Sequence, residues 1–441
     1  MFSVPSRRRS RAAVGVVTVG LLLASACAGD DDDSSDALSP GTTGAPGATL
    51  APGATTVPGA PAATAAPTDG ATATTTAAPV ATTTPPPPPP TPPPPAAQLE
   101  TASVALQKFV ELPLLTAVVQ HPDRSLWFTS QTGEVWKMVE GGQPELVLDL
   151  RGEVAPWAEG SERGMLGIGF NPVDGRLFLY FNDAASDSHV LSYALDANGV
   201  PDPASRWDVL FVDQPGIGHK GGGIVFDENG VMMLALGDGG GSRGRDAQDY
   251  SKVLGGIIRI IPRTNGPGYD IPGDNPFIGQ EGIAPEIFAK GLRNPWGFCR
   301  DAPTGDMWIT DVGEDTVEEV NHIPAGTSGM NFGWYFLEGT QVRYDGAPQP
   351  NQPPVWEYLH NEFGPASIGG CVYRGAAIPA LQGAYVFSDM SGPMFAIGEG
   401  YSPVRLPLPE QGRIVTAVKM GVDGEVIILT LHNGGYRLVP V

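Results

Sequence analysis

A short apolar strand, a polar turn carrying Gly or Asp, and a second apolar strand recur along most of this chain, and no other feature narrows its fold as much. The copies read VVQHPDRSLWFTSQTGEVWKMV from Val118, IGFNPVDGRLFLYF from Ile168, IVFDENGVMMLAL from Ile224 and GFCRDAPTGDMWITDVGEDTVEEVNHI from Gly297. Two more follow, GAYVFSDMSGPMFAI from Gly383 and VKMGVDGEVIILTLHNGGYRLVPV from Val418. Strands at this spacing, punctuated by turn residues and almost free of helical periodicity, make an all-β repeat. Units of roughly 55 residues have the size of four-stranded propeller blades with long loops, so a six-bladed β-propeller is expected. A sandwich or jelly roll would not explain the repetition. The chain ends on RLVPV and its folded part begins near FVELP, so the terminal strands are expected to share a blade and close the ring.

Ahead of the repeats the composition changes. Arg7, Arg8, Arg9 and Arg11 precede an apolar run, Ala12 to Ala24, too short to span a membrane permanently. Ala24-Ser25-Ala26-Cys27 follows, the pattern of a lipoprotein signal cut before a lipidated Cys27; an ordinary secretory signal cut near Ala26 is the other reading. Residues 28–100 are dominated by Ala, Thr, Pro and Gly, with proline runs at 85–90 and 92–95. Such a segment buries too little to offset its ordering entropy and is expected to remain an extended, disordered tether. The expected organisation is therefore signal peptide 1–27, tether 28–100 and propeller 101–441. It describes an extracytoplasmic protein held to the membrane only by a lipid on Cys27. A formal net charge of −22 argues against a nucleic-acid partner.

In a propeller the loops at one end of the blades converge on the central channel, so chemistry is expected in loops of different units. The stretch HKGGGIVFDENGVMMLALGDGGG carries His219 and Asp238 on Gly-rich turns either side of a hairpin. A neutral imidazole accepts a proton near neutral pH, and a carboxylate beside it orients the ring and stabilises its cation. Arg293-Asn294 precede the fourth unit, Asp311-Val312-Gly313-Glu314 follow its second strand, and Arg374 precedes the fifth. On residue type alone each has a plainer reading. Arg293 reads as half of an ion pair between blades, and Glu314, Asp315, Glu318 and Glu319 as a solvated acidic turn. Trp296, Trp308 and Trp334 read as packing between blades, whereas Trp157 and Tyr344, in irregular loops, better suit a sugar-facing surface. His121, His189, His322, His360 and His432 lack the Gly-rich setting and read as structural or surface groups. Cys299 and Cys371 fall in adjacent units, and either one disulfide or two buried thiols fits them.

The strings ERGMLGIGFNP, HKGGGIVFDENG with LGDGG, PEIFAKGLRNPWGF, MWITDVGEDTVEEVN, NFGWYFLEG and GGCVYRG occur in the order seen in the soluble quinoprotein glucose/sorbosone dehydrogenase family, which the chain resembles from Thr116 to Val441. The resemblance implies a six-bladed propeller that uses pyrroloquinoline quinone (PQQ) with Ca2+ to oxidise an aldose sugar at its anomeric carbon and hands the electrons to an unidentified acceptor. It implies His219 as the base taking the C1 hydroxyl proton, Asp238 as its orienting partner, Arg293 against the quinone carbonyl, and Asn294 as a cofactor contact. It also implies main-chain oxygens of Gly313 and Glu314 as ligands of the cofactor's Ca2+, and Glu318 and Glu319 as carboxylates of a second Ca2+ site.

Two positions depart from the pattern. Glucose-oxidising members place cations on the loop between the last two strands of the fifth unit to clamp the quinone carboxylates; FSDMSGPMFAI has none, and Arg374 keeps one positive position nearby as a cofactor contact. Gly218 stands where those members have an aspartate. Two readings from other classes stand beside the dehydrogenase: a carbohydrate- or protein-binding propeller that has lost the quinone, and a Ca2+-dependent hydrolase or lyase acting on a sugar lactone.

Overall fold

The computed structural model describes residues 90–408 and 413–441. The export signal, Cys27 and the tether up to residue 89 lie outside the described residues. Within them, six sheets form the six blades. Blade one comprises Leu115–Gln120, Leu126–Ser130, Glu134–Met138 and Glu145–Asp149. Blade two comprises Met165–Phe170, Leu177–Asn182, Ser188–Tyr193 and Trp207–Val212. Blade three comprises Ile224–Phe226, Met232–Leu236, Gly256–Pro262 and Ile287–Lys290. Blade four comprises Pro295–Arg300, Met307–Asp311, Val317–Ile323 and Trp356–Leu359. Blade five comprises Ser367–Val372, Tyr385–Asp389, Met394–Ile397 and Pro403–Arg405. Blade six comprises Val415–Met420, Val426–Thr430 and Gly434–Pro440, completed by Val104–Val110 from the other end of the domain. Each inner strand touches the next, and blade six touches blade one, so the ring is closed as expected.

The second strands explain why the repeat is readable. LWFTS, LFLYFN, MMLAL, MWITD, YVFSD and VIILT are buried along their whole length, because each blade is covered on both faces by its neighbours. The outermost strands, such as Glu145–Asp149, are largely exposed. The inner strand of blade five is less legible. The unit read from Gly383 proves to be the second and third strands of blade five; its inner strand is SIGGCV. Gly369 there meets Gly297 of blade four so closely that a Cβ on either would strike the other's main chain. Glycine is needed for that approach, and it leaves no apolar run to read.

Five inner strands share a bulge at their start, between Leu115 and Ala117, Met165 and Gly167, Pro295 and Gly297, Ser367 and Gly369, and Val415 and Ala417. A bulge re-aims the strand end. All inner strands start at the same end of the channel, here the upper mouth. Deeper in the channel Cys299 and Cys371 form a disulfide with Cα atoms 5.5 Å apart, tying blade four to blade five.

The tether expected over 28–100 is too long at its C-terminal end. The Thr91 carbonyl accepts from Arg374 and the Pro94 carbonyl from the Glu399 N–H, and Leu99 is buried against blade five with Ile378 and Leu381. Proline lacks an N–H but keeps its carbonyl, so a proline-rich strap can still be held where the domain supplies donors.

Candidate active site

His219 lies in the loop ahead of Ile224–Phe226, and Asp238 follows Met232–Leu236. Antiparallel pairing of those strands brings the two residues together. His219 Nδ1 lies 2.6 Å from Asp238 Oδ1. The Trp334 indole N–H donates to Oδ2 at 2.7 Å, and the Gly240 N–H donates to Oδ1 at 2.8 Å. Asp238 is 1% exposed. Burial would raise its pKa, but the facing His219, with help from Arg293, holds the carboxyl below its ordinary value. An ionised carboxylate only accepts, so Nδ1 carries the proton and Nε2 is the basic atom. His219 has φ 52°, in the left-handed region that strains a non-glycine residue. Its N–H donates to Glu162 Oε2 at 2.6 Å, and Gly237 packs so closely that a Cβ there would collide with the His219 carbonyl.

Arg293 and Asn294 are fixed by their main chain. Their N–H groups donate to the two oxygens of Asp311 at 2.8 and 2.6 Å. The Arg293 guanidinium, 2% exposed, donates to the Val312 carbonyl at 3.1 Å. Asn294 Nδ2 donates to Glu162 Oε2 at 3.1 Å, so Glu162 of the loop before blade two ties His219 to Asn294. The guanidinium carbons of Arg293 and Arg343 lie 5.5 and 4.3 Å from the centre of the Trp334 ring. Two guanidinium groups at one buried indole, beside a histidine–carboxylate pair, suit a planar anionic cofactor. Next to them is a cavity of about 240 Å³, walled in part by Trp157, Glu162, Asn294, Glu314 and His360. Trp157, expected on a sugar-facing surface, is on this wall. Tyr344 packs 5.3 Å from Arg343 instead.

The two carboxylates expected at a second Ca2+ site, Glu318 and Glu319, do not converge. Glu318 and Glu319 are consecutive on a strand and point to opposite faces. Glu318 accepts from the N–H groups of Gly313 (3.2 Å) and Ser367 (2.7 Å) and pairs with His360 at 2.8 Å. Glu319 accepts from the Gly339 N–H (2.5 Å) and the Asn321 amide (2.9 Å). Glu314 is ion-paired with Arg343, and its N–H donates to Glu338 Oε1 at 2.9 Å, as do the next three N–H groups of the loop. These carboxylates are committed to protein donors. Among the described residues no group of three or more His, Cys, Asp or Glu is arranged to hold a metal. The carboxylate set therefore does not fit a second Ca2+, although Gly313 and Glu314 do line the upper cavity. Behind it, Asp311 and Glu319 face each other across the sheet. Burial, and for Asp311 the nearby Glu319 charge, raises both carboxyls above their ordinary values.

Arg374 is not in this site. Ser367, where its strand begins, donates to the Asp311 carbonyl at the upper mouth. Seven residues of extended chain further on, about 23 Å away, Arg374 pairs with Asp301 at 2.6 Å at the far end of the channel. The upper loop of blade five, residues 388–393, brings no cation to the mouth. Sequence reasoning gave Glu162 no role, named Asp311 without the main-chain donors it holds, and read Trp334 as packing and His360 as structural. The first three sit inside ERGMLGIGFNP, DVGED and NFGWYFLEG; nothing local marks His360 as the partner of Glu318.

A profile of the family described as Glucose / Sorbosone dehydrogenase matches residues 112–439. The chain is 29% identical to the HIPL2 protein of Arabidopsis thaliana over 355 residues, covering 62% of this chain and 50% of that protein; it thus spans half the length of that relative. It is 26% identical over 373 residues to aldose sugar dehydrogenase YliI of Escherichia coli (strain K12), covering 77% of this chain and 95% of that one. The structure of the PQQ-bound aldose sugar dehydrogenase of Streptomyces coelicolor superposes with a TM-score of 0.61 at 21% identity, covering 79% of this chain and 99% of the other.

Proposed function

This chain belongs to the Glucose / Sorbosone dehydrogenase family, and from that premise we propose that it is a quinone-dependent aldose sugar dehydrogenase acting at the upper mouth. One observation carries the proposal: the hydrogen-bonded series His219, Asp238, Trp334. Asp238 fixes the tautomer, so His219 Nε2 takes the proton of the sugar C1 hydroxyl, and the buried carboxylate stabilises the resulting imidazolium. A bound PQQ, the cofactor named for the Streptomyces relative, supplies the acceptor for the hydride leaving C1. Arg293, held in place through Asp311, provides positive charge where negative charge develops. Asn294 and Arg343 offer donors to the cofactor's carboxylates, and the Trp157 ring offers an apolar face to the sugar. No step is assigned to Ca2+. The arginine-led signal and Cys27 support an extracytoplasmic, lipid-anchored setting.

The cation-free loop at residues 388–393 favours a second reading, a propeller that binds carbohydrate or protein without redox chemistry. The test is to load the full chain with PQQ and follow dye reduction by glucose carrying hydrogen or deuterium at C1. Reduction with a primary isotope effect, lowered at least about 100-fold by His219→Ala, is expected. Saturable sugar binding without reduction in the quinone-loaded protein would favour the binding module.

A further inference from the structure

Below the upper mouth the channel is narrowed by the bulged residues of its inner strands. Thr116, Trp296, Ile368 and Thr416 border the upper cavity and also a second one beyond it. Trp296 is the largest, and its indole N–H reaches past blade five to donate to the Thr416 carbonyl at 2.9 Å. The second cavity, about 590 Å³, ends at a rim that includes the exposed Ala302, Pro303 and Val422. Its volume falls in the range of small-ligand sites. Its walls are mainly apolar, with Val118, Ile168, Phe170, Ile224 and Phe226 among them. The rim charges are neutralised in pairs: Arg374 with Asp301 at 2.6 Å, Arg300 with Glu228 at 3.2 Å, and Asp423 with Arg124 at 3.7 Å.

Lys419 differs from all of these. One layer of the channel is made by Val119, Gly169, Val225, Cys299, Cys371 and Lys419, each paired with the second residue of its blade's second strand. Five of those positions are uncharged. The Lys419 ammonium donates to the Phe298 carbonyl at 2.9 Å, and among the described residues no carboxylate lies within ion-pair reach of it. An ammonium has three N–H donors. Lys419 is walled by protein but partly exposed to the lumen it lines, and desolvation, with no opposing charge, pulls its pKa down to about 8. It therefore remains largely protonated at neutral pH, as a cation without a counter-ion in an apolar channel, an arrangement that an incoming anion would relieve.

We propose that the far half of the channel is a second ligand site, separated from the upper mouth by Trp296, that takes a small amphipathic organic acid, its carboxylate on Lys419 and its hydrocarbon against the apolar inner strands. The site stands independently of the dehydrogenase reading. The probe is octanoate, titrated calorimetrically into the full chain at neutral pH with neither quinone nor sugar present. One saturable site is expected. Lys419→Met should weaken it at least about tenfold, Lys419→Arg should retain it, and uncharged octanol should bind wild type and Lys419→Met alike. Should Lys419→Met not fold, the pH arm decides: octanoate affinity for wild type should fall as the pH rises through the Lys419 titration, while that of octanol should not. No saturable uptake at millimolar octanoate, equal affinity in a folded Lys419→Met, or pH-independent binding would overturn the proposal.

Discussion

The two ends of this channel are built from the same six inner strands and handle charge in opposite ways. At the upper mouth, Asp238, Asp311, Glu318 and Glu338 are buried and take main-chain N–H groups from loops of several blades. At the far end, charges meet as side-chain pairs around a rim, and Lys419 has no acidic partner among the described residues. A main-chain donor cannot swing away, so the mouth is held in one geometry, as an acid–base site requires. Pairs with exposed partners, Arg300–Glu228 and Asp423–Arg124, contribute only about 0–1 kcal/mol each and rearrange readily; only Arg374–Asp301 has a buried carboxylate. The blades supply the same frame at both ends; the loops that enter it decide which end is preorganised.

The largest break in this contrast is expected from Asp238→Asn, which removes the charge fixing the His219 tautomer. Turnover should fall by about 100- to 10,000-fold with quinone affinity nearly unchanged, measured by steady-state kinetics and titration; a near-wild-type rate would mean that the mouth is not organised around this pair. The disulfide in the far half comes next. It closes a span of 72 residues, for which loop entropy gives about 4 kcal/mol. Replacing Cys299 and Cys371 by Ser should lower the urea midpoint accordingly and leave quinone uptake intact.

Asp311→Asn sharpens the comparison at the mouth, since it weakens two main-chain hydrogen bonds at once. A loss of about 1–3 kcal/mol in stability is expected, together with weaker quinone binding as Arg293 and Asn294 loosen. The smallest effect is a pH slope. Asp311 and Glu319 have folded pKa values above their ordinary ones, so the stability they contribute is full at low pH and is lost as the pH rises through the raised values. Thermal melts should therefore show a decline from mildly acidic to neutral pH that Glu319→Gln flattens; an unchanged slope in the variant would place the protonated carboxyl elsewhere.

Sequence and structure agree where burial is two-sided. Second strands such as MMLAL are continuous apolar runs because neighbours cover both faces, so blade number and ring closure were legible. SIGGCV was not, because its glycines serve backbone contact rather than packing. His219 and Asp238 were legible because a hairpin between Gly-rich turns leaves few other ways to fold. Arg374 was misread because a residue just past the far end of an inner strand emerges at the opposite end of the channel, and nothing in GGCVYRG marks which end is which. The acidic turn was misread because the donors that satisfy Glu318 and Glu319 come from Ser367 and Gly339, remote in sequence, and because adjacent strand residues face apart.

The central claim is that the upper mouth, and not the far end, takes the quinone. The direct measurement is calorimetric titration of the full chain with PQQ, alongside Arg293→Lys and Arg374→Lys. A single site is expected, weakened at least about tenfold by Arg293→Lys, because an ammonium does not reproduce the planar guanidinium fork, and unchanged by Arg374→Lys. No uptake at micromolar quinone, or an equal loss in both variants, would contradict it.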